Sequence, residues 1–310
     1  MRVDRFLAKW FRTHSRNVMA RHIRDGFVTD AAGKVLRASV LLKADEVLQI
    51  WIPGIAADGP PPPFPRVAYE DDELAVVVKP PGMMCHPSGE QFVYALIGLA
   101  REQWPDRHID LVHRIDADTS GLVAISKSKA ANIFFKEAIR TDQTTKIYEA
   151  IVRGHPEWDE HLMQGPIGLA GGIVRIQQAV RDDGLPSWTH ATVLGRKHSP
   201  VGPIAHVRCQ IRTGRTHQIR VHLAHAGFPI LGDRLYGPRC EAFLDVLDHG
   251  LTNVIIEEVG APRHALHSAR LQVPHPNGGS VQAESAPYED MRRWWDTPQV
   301  LPLDGREAVG

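Results

Sequence analysis

Apolar residues at three- and four-residue intervals open the chain. Val3, Phe6, Leu7 and Trp10 would share one face of a helix over residues 3–11, and a second helix is predicted over residues 16–25, where Gly26 favours a helix end. Short segments rich in apolar and β-branched residues then predict strands over residues 27–29, 35–42 and 47–52. The pattern indicates a small module of two helices followed by strands.

A proline-rich stretch separates this module from the rest of the chain. Residues 54–66 read GIAADGPPPPFPR, and four consecutive prolines favour an extended polyproline II spacer with few folded contacts. We therefore predict a head domain over residues 1–53, a linker over 54–66 and a second domain over 67–296. Residues 297–310 are expected to form a disordered tail.

The second domain mixes helical and strand periodicity. Ser128 and Thr216 stand where their side chains can cap helices. Strands are predicted over residues 75–78, 122–125, 146–152 and 204–211, and helices over 92–104, 129–140, 217–225 and 286–296.

Charge is distributed unevenly, although the formal net charge is zero. Residues 1–50 carry ten Lys or Arg against five Asp or Glu, a net charge of +5. Residues 241–310 carry five against eleven, a net charge of −6. A basic head favours a polyanionic partner.

Cysteine and histidine usage excludes several classes of site. Cys85, Cys209 and Cys240 are scattered without a CxxC pair, which fits a reducing cytoplasm and no disulfide scaffold. The 17 histidines show no metal-ligand spacing, so no metal site is expected. No run of about 18 apolar residues predicts a membrane span, and the N-terminus does not resemble a secretory signal. We expect a cytoplasmic protein without a membrane partner.

Residues 113–121 concentrate polar chemistry directly before a buried strand. His113, Arg114, Asp116, Asp118 and Thr119 precede the apolar run over residues 122–125. Active sites often place polar groups on a loop at the end of a rigid strand, which makes Asp116 the candidate for chemistry. The alternative is that Asp and Thr side chains only close a turn.

Five segments together resemble RluA-type pseudouridine synthases, over residues 67–276. They are VVVKPPGMMCHP (76–87), HRIDADTSGL (113–122), KIYEAIVRG (146–154), RTGRTHQIRVHLAHAGFPILGDRLYG (212–237) and HALHSARLQVPHP (264–276). The head, with the pattern SRxxxxxxIRDGFVTxxxGKVLR, resembles the S4-like RNA-binding domain.

The resemblance implies an α+β fold whose catalytic domain is a mixed, largely antiparallel sheet with flanking helices, preceded by a small α+β S4-like domain. It implies isomerisation of selected uridines in structured RNA to pseudouridine. Because the reaction is an internal rearrangement, it implies no cofactor, metal or nucleotide energy source. The expected substrate is large-subunit ribosomal RNA first and transfer RNA second, and the expected state is a monomer.

The resemblance also assigns catalytic roles. Asp116 matches the catalytic aspartate, which would attack the ribose C1′, attack the base C6 or abstract a ribose proton; these three routes stay open. Arg215 is the expected cation beside Asp116, because a guanidinium would keep the carboxylate ionised. Tyr148 is expected to stack on the uracil and to serve as acid or base for the C5 proton.

Further residues are expected to contact the RNA or the flipped base. In the catalytic domain they are Arg114, His113, Thr119, His217, Gln218, Arg220, Leu266 and Leu271; in the head they are Arg16, Arg21, Arg24 and Lys34. Arg114 would fill the space that the uridine leaves or hold a phosphate. His113 and Thr119 are expected to act mainly as structural hydrogen-bonding groups. His217, Gln218 and Arg220 open a predicted helix, where anions bind favourably.

Two other functions compete with this interpretation. One is a non-catalytic RNA-binding or assembly protein that retains the fold, against which the intact Asp116, Tyr148 and Arg215 argue. The other is an aspartate-dependent nucleoside hydrolase, against which the S4-like head and the absence of a metal-binding carboxylate motif argue.

Overall fold

The computed structural model of the protein describes residues 1–10, 16–24, 26–43, 46–50, 62–86 and 95–296. Its helices are α1 (Val3–Trp10), α2 (Arg16–Arg24), α3 (Leu96–Gln103), α4 (Lys129–Arg140), α5 (Gln218–His225), α6 (Glu241–His249), α7 (Asn253–Val259) and α8 (Glu289–Asp296). Within the described residues, no helix has both the length and the apolar character needed to cross a membrane.

The strands of the head have three residues each, and those of the second domain have between two and eleven. They are β1 (Val28–Asp30), β2 (Leu48–Ile50), β3 (Val67–Glu70), β4 (Leu74–Lys79), β5 (Asp110–Leu111), β6 (Ser120–Ser126), β7 (Thr145–Arg153), β8 (Glu160–Met163), β9 (Ile167–Leu169), β10 (Gln178–Val180), β11 (Thr189–Ser199), β12 (Gly202–Ile211), β13 (Leu266–Pro274) and β14 (Ser280–Glu284).

The chain divides into two units. One comprises Met1–Phe64 with Met84–Gln103, and the other comprises Pro65–Met83 with Trp104–Gly310. Most of the predicted linker and the whole predicted tail lie outside the described residues, so both stay predictions.

In the first unit, α1, α2 and β1 enclose a small apolar cluster, which consists of Val3, Leu7, Met19, Ile23 and Val28. The β1–β2 pair is antiparallel. The S4-like relationship of this unit stays a prediction.

Two details of the head differ from the sequence prediction. Trp10, predicted on the buried face, is 62% exposed and stacks on Phe6. Residues 35–42 were predicted as a strand, but they form only isolated bridges. The reason is that part of their backbone bonds to the start of α1, where the N–H of Val3 donates to the carbonyl of Val40 at 2.9 Å.

The second unit is built on a ten-stranded sheet. Its strand order is β3-β4-β6-β13-β7-β12-β11-β8, with β14 added to β13 and β5 added to β6. Every pairing in this sheet is antiparallel except that of β6 with β13, so the predicted mixed, largely antiparallel sheet is confirmed.

Helix α4 covers one part of the sheet. Ser128 caps it as predicted, because its hydroxyl accepts a hydrogen bond from the N–H of Ala131 at 3.1 Å. Phe135 is fully buried in an apolar cluster with residues of β4, β6, β13 and β14, including Leu74 and Leu122. Burial of this apolar surface anchors β6, and therefore the loop that precedes it.

The parallel contact between β6 and β13 is only two residues long, and Gly121 makes it possible. Gly121 pairs with Ser268 and has a φ of +108°. A Cβ atom at this position would lie 2.3 Å from the carbonyl oxygen of Ser268. Only glycine allows the two backbones to approach this closely.

We expect Gly121→Ala to lower the free energy of unfolding by at least about 3 kcal/mol, because the new methyl group meets backbone rather than a flexible side chain. Gly202→Ala is the matched control: Gly202 also has a positive φ (+98°), but nothing lies within 4 Å of its added Cβ. In Gly202→Ala the free energy of unfolding should fall by only about 1 kcal/mol, because of backbone strain. Urea unfolding of both variants measures the difference, and equal losses would contradict the close approach.

Candidate active site

A cleft opens where the N-terminal ends of β6 and β13 meet. The loop that carries Asp116 leads into β6, and Leu266 begins β13. Because Gly121 pairs with Ser268 and Ser268 also pairs with Tyr148, residues from three sequence segments converge at this end of the sheet. The cleft is lined by Arg114, Ile115, Asp116, Thr119, Tyr148, Ile211, Gly214, Arg215, His217, Gln218, Ile219, Arg220 and Leu266.

A chain of ion pairs forms the floor of the cleft. Arg220 Nη1 donates to Asp116 Oδ2 at 2.9 Å, while Arg220 Nε and Nη2 donate to the two oxygens of Asp233 at 2.7 and 2.9 Å. Asp233 is buried and also accepts hydrogen bonds from the N–H groups of Leu235 and Tyr236, each at 3.0 Å. The side chain of Asp116 remains 29% exposed, whereas that of Arg220 is only 8% exposed.

This arrangement keeps Asp116 ionised. Burial opposes the charged form of the carboxyl, but the charge and hydrogen bond of Arg220, together with the nearby His217 and His264, outweigh that effect and hold the pKa of Asp116 below its ordinary value. The pKa of Asp233 is lowered in the same way, against its own burial, by Arg220. At neutral pH the floor therefore carries two negative charges and one positive charge.

The cation beside Asp116 is not the predicted one. The sequence assigned this role to Arg215, but among the described residues the guanidinium bonded to Asp116 is that of Arg220. Arg215 is exposed, and its Nε donates to the carbonyl of Pro186 at 3.0 Å. Arg215 still lines the cleft, at its rim.

The prediction that residues at the start of α5 contact phosphates is also wrong for Arg220 and Gln218. Arg220 is buried between carboxylates. Gln218 is buried, and its amide group donates to the carbonyl of Trp188 and accepts from Thr213 Oγ1 and the N–H of Arg215. Both side chains are used inside the protein, so neither is available to a phosphate.

His217 stands at the N-terminus of α5, where Thr216 had been predicted as the cap. His217 has a φ of +57°, a left-handed conformation, and makes no side-chain cap. Its Nδ1 lies 2.8 Å from the hydroxyl of Tyr236, and its Nε2 lies 3.8 Å from Asp116 Oδ2. Burial and then Arg220 lower the pKa of His217, so its imidazole is neutral at pH 7.

Buried donors hold the backbone next to Asp116. The Nζ of Lys79 donates to the carbonyl of Ala117 at 2.7 Å, and the N–H of Gly82 donates to the same carbonyl at 2.9 Å. Lys79 is fully buried. Arg234 forms an ion pair with Asp118. The loop that carries Asp116 is therefore held by the segment 79–82 and by the segment around Arg234.

The remaining loop residues also have structural partners. Thr119 Oγ1 lies 2.7 Å from His264 Nε2, so Thr119 holds the loop through the side chain of His264. His113 Nε2 accepts a hydrogen bond from the N–H of Ala124 at 3.1 Å, and burial followed by Lys146 lowers its pKa to about 4. These contacts support structural roles for His113 and Thr119.

Sequence reasoning missed four residues of this arrangement: Lys79, Asp233, Arg234 and His264. All four lie inside the quoted motifs, so a signal existed. Their polar side chains stand in VVVKPPG, GDR and HALH, but Lys79, Arg234 and His264 have partners in distant segments, and Asp233 has its partner 13 residues earlier in the same motif.

The two leucines predicted to wall the base pocket have different positions. Leu266 lines the cleft together with Tyr148. Leu271 does not; it packs in the apolar cluster around Phe135. Five residues along a strand correspond to about 16 Å, which places Leu271 too far from the cleft. Arg114 is exposed at the rim.

The four head residues predicted to contact phosphates fall into two groups, one held by an ion pair and one exposed. Arg16 does not point freely to solvent, because its Nε and Nη2 bond to the buried carboxylate of Asp4 at 2.9 and 2.8 Å. A buried carboxylate needs a cation, so Arg16 joins α2 to α1. Arg21, Arg24 and Lys34 are exposed, and their contact with phosphates stays a prediction.

Among the described residues, no group of three or more His, Cys, Asp or Glu side chains is arranged to hold a metal ion.

Comparison with known proteins identifies relatives over nearly the whole chain. The family described as RNA pseudouridylate synthase matches residues 73–225. Ribosomal large subunit pseudouridine synthase D of Pseudomonas aeruginosa is 33% identical over 98% of this chain and 89% of its own length. Ribosomal large subunit pseudouridine synthase C of Escherichia coli K12 is 33% identical over 93% of this chain and 90% of its own length.

A solved structure shares the fold. Human RNA Pseudouridylate Synthase Domain Containing 1 superimposes with a TM-score of 0.58 at 24% sequence identity, covering 74% of this chain and 86% of that chain. This likeness agrees with the mixed sheet and flanking helices described above.

Buried neutral histidines next to the loop that carries Asp116 make the free energy of unfolding depend on pH. Burial is the largest cause that lowers the pKa of His264 to about 3 and that of His267 to about 4. Below pH 6.5 the unfolded chain protonates both residues while the folded protein does not, so stability falls as the pH falls. Between pH 7 and pH 5 each histidine should cost about 2 kcal/mol of unfolding free energy.

Urea unfolding at pH 7 and pH 5 measures this loss. His264→Gln should weaken the dependence of the unfolding free energy on pH, because glutamine can still bond to Thr119 but does not titrate. His249→Gln, which changes an exposed histidine of α6, is the control and should keep the full dependence. Equal unfolding free energies of the unmodified protein at the two pH values would contradict the buried neutral state.

Proposed function

The chain belongs to the RNA pseudouridylate synthase family and is an enzyme that isomerises uridine in RNA. From this premise we propose that its substrate is ribosomal RNA and that Asp116 is the catalytic residue. The observation that carries the assignment of Asp116 is its position: an ionised, partly exposed carboxylate on the floor of the cleft, held by Arg220. The names of the relatives, ribosomal large subunit pseudouridine synthases C and D, support the choice of RNA.

The reaction requires one carboxylate in contact with the nucleoside. The bond from N1 of uracil to C1′ breaks, the base rotates, a bond from C5 to C1′ forms, and the proton on C5 is lost while N1 gains one. Asp116 can attack C1′, attack C6 or abstract a ribose proton. Each route needs the ionised form, and Arg220 stabilises that form.

Tyr148 and Leu266 are proposed to hold the base against Asp116. Both are buried and both line the cleft. The ring of Tyr148 offers a stacking surface, and its hydroxyl is a candidate to move the C5 proton.

Access to Asp116 requires the uridine to leave its stack. A base inside a helix cannot reach the floor of a cleft, and extrusion costs a few kcal/mol. Arg114 is exposed at the rim of the cleft, in a position to fill the vacated space or to bind a neighbouring phosphate. Because the rearrangement is internal, we propose that it uses no cofactor, and that the enzyme acts as a cytoplasmic monomer.

We expect Asp116→Asn to lower the rate of pseudouridine formation by at least about a hundredfold while RNA affinity changes little. The fold should persist, because Asp233 still pairs with Arg220 on two hydrogen bonds. Asp110→Asn, which removes a carboxylate ion-paired with Lys136, is the control and should keep its activity.

Pseudouridine mapping of total RNA, from cells with and without this gene, tests the substrate. A ribosomal position that loses its modification, and regains it with the unmodified gene but not with Asp116→Asn, supports the proposal. Loss at transfer RNA positions alone would contradict ribosomal RNA as the substrate. Undiminished turnover by Asp116→Asn would contradict the catalytic role.

The head is proposed to be an S4-like RNA-binding domain that binds phosphates through Arg21, Arg24 and Lys34. Replacing all three by Gln should reduce the slope of log affinity against log salt concentration by about 2, since each phosphate contact with single-stranded nucleic acid contributes about 0.7. Filter binding at several salt concentrations measures the slope.

The control variant removes the same charge elsewhere in the head. Lys9, Arg37 and Lys43 are exposed basic residues outside the predicted surface. Their replacement by Gln should change the slope less. An equal change in both triple variants would show that net charge alone matters, and would contradict the specific assignment.

A further inference from the structure

One exposed arginine beside the cleft is held by neighbouring side chains although the proposed chemistry does not use it. The guanidinium of Arg212 lies over the ring of Trp188, 4.3 Å from the ring centroid. Its Nε lies 3.6 Å from Asp142 Oδ2, and its side chain is 58% exposed. An aromatic ring and a carboxylate therefore orient a guanidinium that still presents much of its surface to solvent.

The backbone beneath this pair is also restrained. The N–H of Trp188 donates to Thr213 Oγ1 at 3.0 Å, and the carbonyl of Trp188 accepts from Gln218 Nε2 at 2.8 Å. The buried Lys146 donates to the carbonyl of Arg212 at 3.4 Å. Side chains of the strand and helix that build the cleft thus hold both members of the pair.

The position of Arg212 is set by the cleft itself. Ile211 and Gly214, on either side of it in the chain, both line the cleft. Consecutive Cα atoms are 3.8 Å apart, so the backbone of Arg212 borders the cleft. Arg114 and Arg215 are exposed at the same rim. The mouth is therefore positively charged, as a surface that receives an RNA backbone should be.

A planar cation with an open surface is suited to a nucleobase. Bases unstacked from RNA pack on aromatic rings or on the planes of arginine side chains. A guanidinium also loses little conformational freedom on binding when neighbouring groups already orient it. When a uridine leaves the stack, the adjacent nucleotide loses a stacking partner, and it lies one nucleotide away from the cleft.

We propose that Arg212, seated on Trp188, is the stacking platform for the nucleotide adjacent to the flipped uridine. The inference rests on the proposed function, because it needs an RNA substrate whose uridine enters the cleft. It assigns to Arg212 and Trp188 a role in binding and in the choice of sequence context, separate from the chemistry at Asp116.

The first test separates the plane of Arg212 from its charge. Arg212→Lys keeps the charge but loses the plane, and Trp188→Leu keeps Arg212 but removes its support. The RNA fragment is the one identified by pseudouridine mapping. Both variants should raise KM about tenfold, the effect of losing one stacked base, and change kcat less than KM. Arg270→Lys, an exposed arginine paired with Glu284 and 46% exposed, is the matched control and should behave as the unmodified enzyme.

The second test is a double-mutant cycle with the RNA. Abasic sites are placed one at a time on the 5′ and 3′ sides of the target uridine. One of them should raise KM for the unmodified enzyme and have little further effect on Arg212→Lys. Circular dichroism confirms that each variant is folded, and Trp188→Phe, which keeps a ring, should restore most of the affinity.

The outcomes distinguish the platform from the proposed function. Pseudouridine formation by the unmodified enzyme on the chosen RNA fragment tests the proposed function and does not depend on the stacking role of Arg212. If that turnover is present and Arg212→Lys matches the unmodified enzyme, or if neither abasic site couples to Arg212, the platform is contradicted and the proposed function stands.

Discussion

A single buried guanidinium between two carboxylates determines the geometry of the active site. Arg220 donates two hydrogen bonds to Asp233, which belongs to the same motif, and a third to Asp116, which lies 104 residues earlier in the chain. Removal of one partner from a buried ion pair typically costs about 3–5 kcal/mol, because it leaves an uncompensated charge. The fold of the segment around Asp233 is therefore coupled to the ionisation and position of the Asp116 carboxylate.

The sheet is the second constraint on the site, because it fixes the position of β6 and therefore of the loop that carries Asp116. β6 and β13 touch over two residue pairs only, at Gly121 and its neighbour. Lys79, Arg234 and His264 then hold the loop from other directions. Residues 117, 118 and 119 of the loop are thereby each held by a side chain from another segment.

The sequence was informative where a residue acts through its own chemistry and less so where it depends on a distant partner. Asp116 and Tyr148 were identified from motifs, and both line the cleft. Arg215 was assigned as the counter-charge from its place in the motif TGRTHQ. The motif alone does not show which arginine reaches Asp116; in the fold, the arginine within α5, Arg220, is buried and bonded to it.

Strand prediction failed for a similar reason. Alternation identified β7 and β12, but residues 35–42 show the same local pattern and bond to the start of α1 instead. β11, which pairs with both β12 and β8, was not predicted from its mixed composition. Pairing partners are set by the whole sheet, so the local pattern does not determine them. Leu271 shows the same limit, because its distance from the cleft depends on where β13 begins.

The charge arrangement from rim to floor has a consequence for selectivity. The rim carries Arg114 and Arg215, whereas the floor carries a net charge of about −1 from Asp116, Asp233 and Arg220. An uncharged base can descend to the floor while its phosphates stay at the rim, and a phosphate that entered first would be repelled. Uridine and pseudouridine carry the same charge, so this gradient cannot expel the product. In the proposed mechanism, release would be driven by the base returning to its stack, and turnover would depend on the stability of the RNA structure around the target.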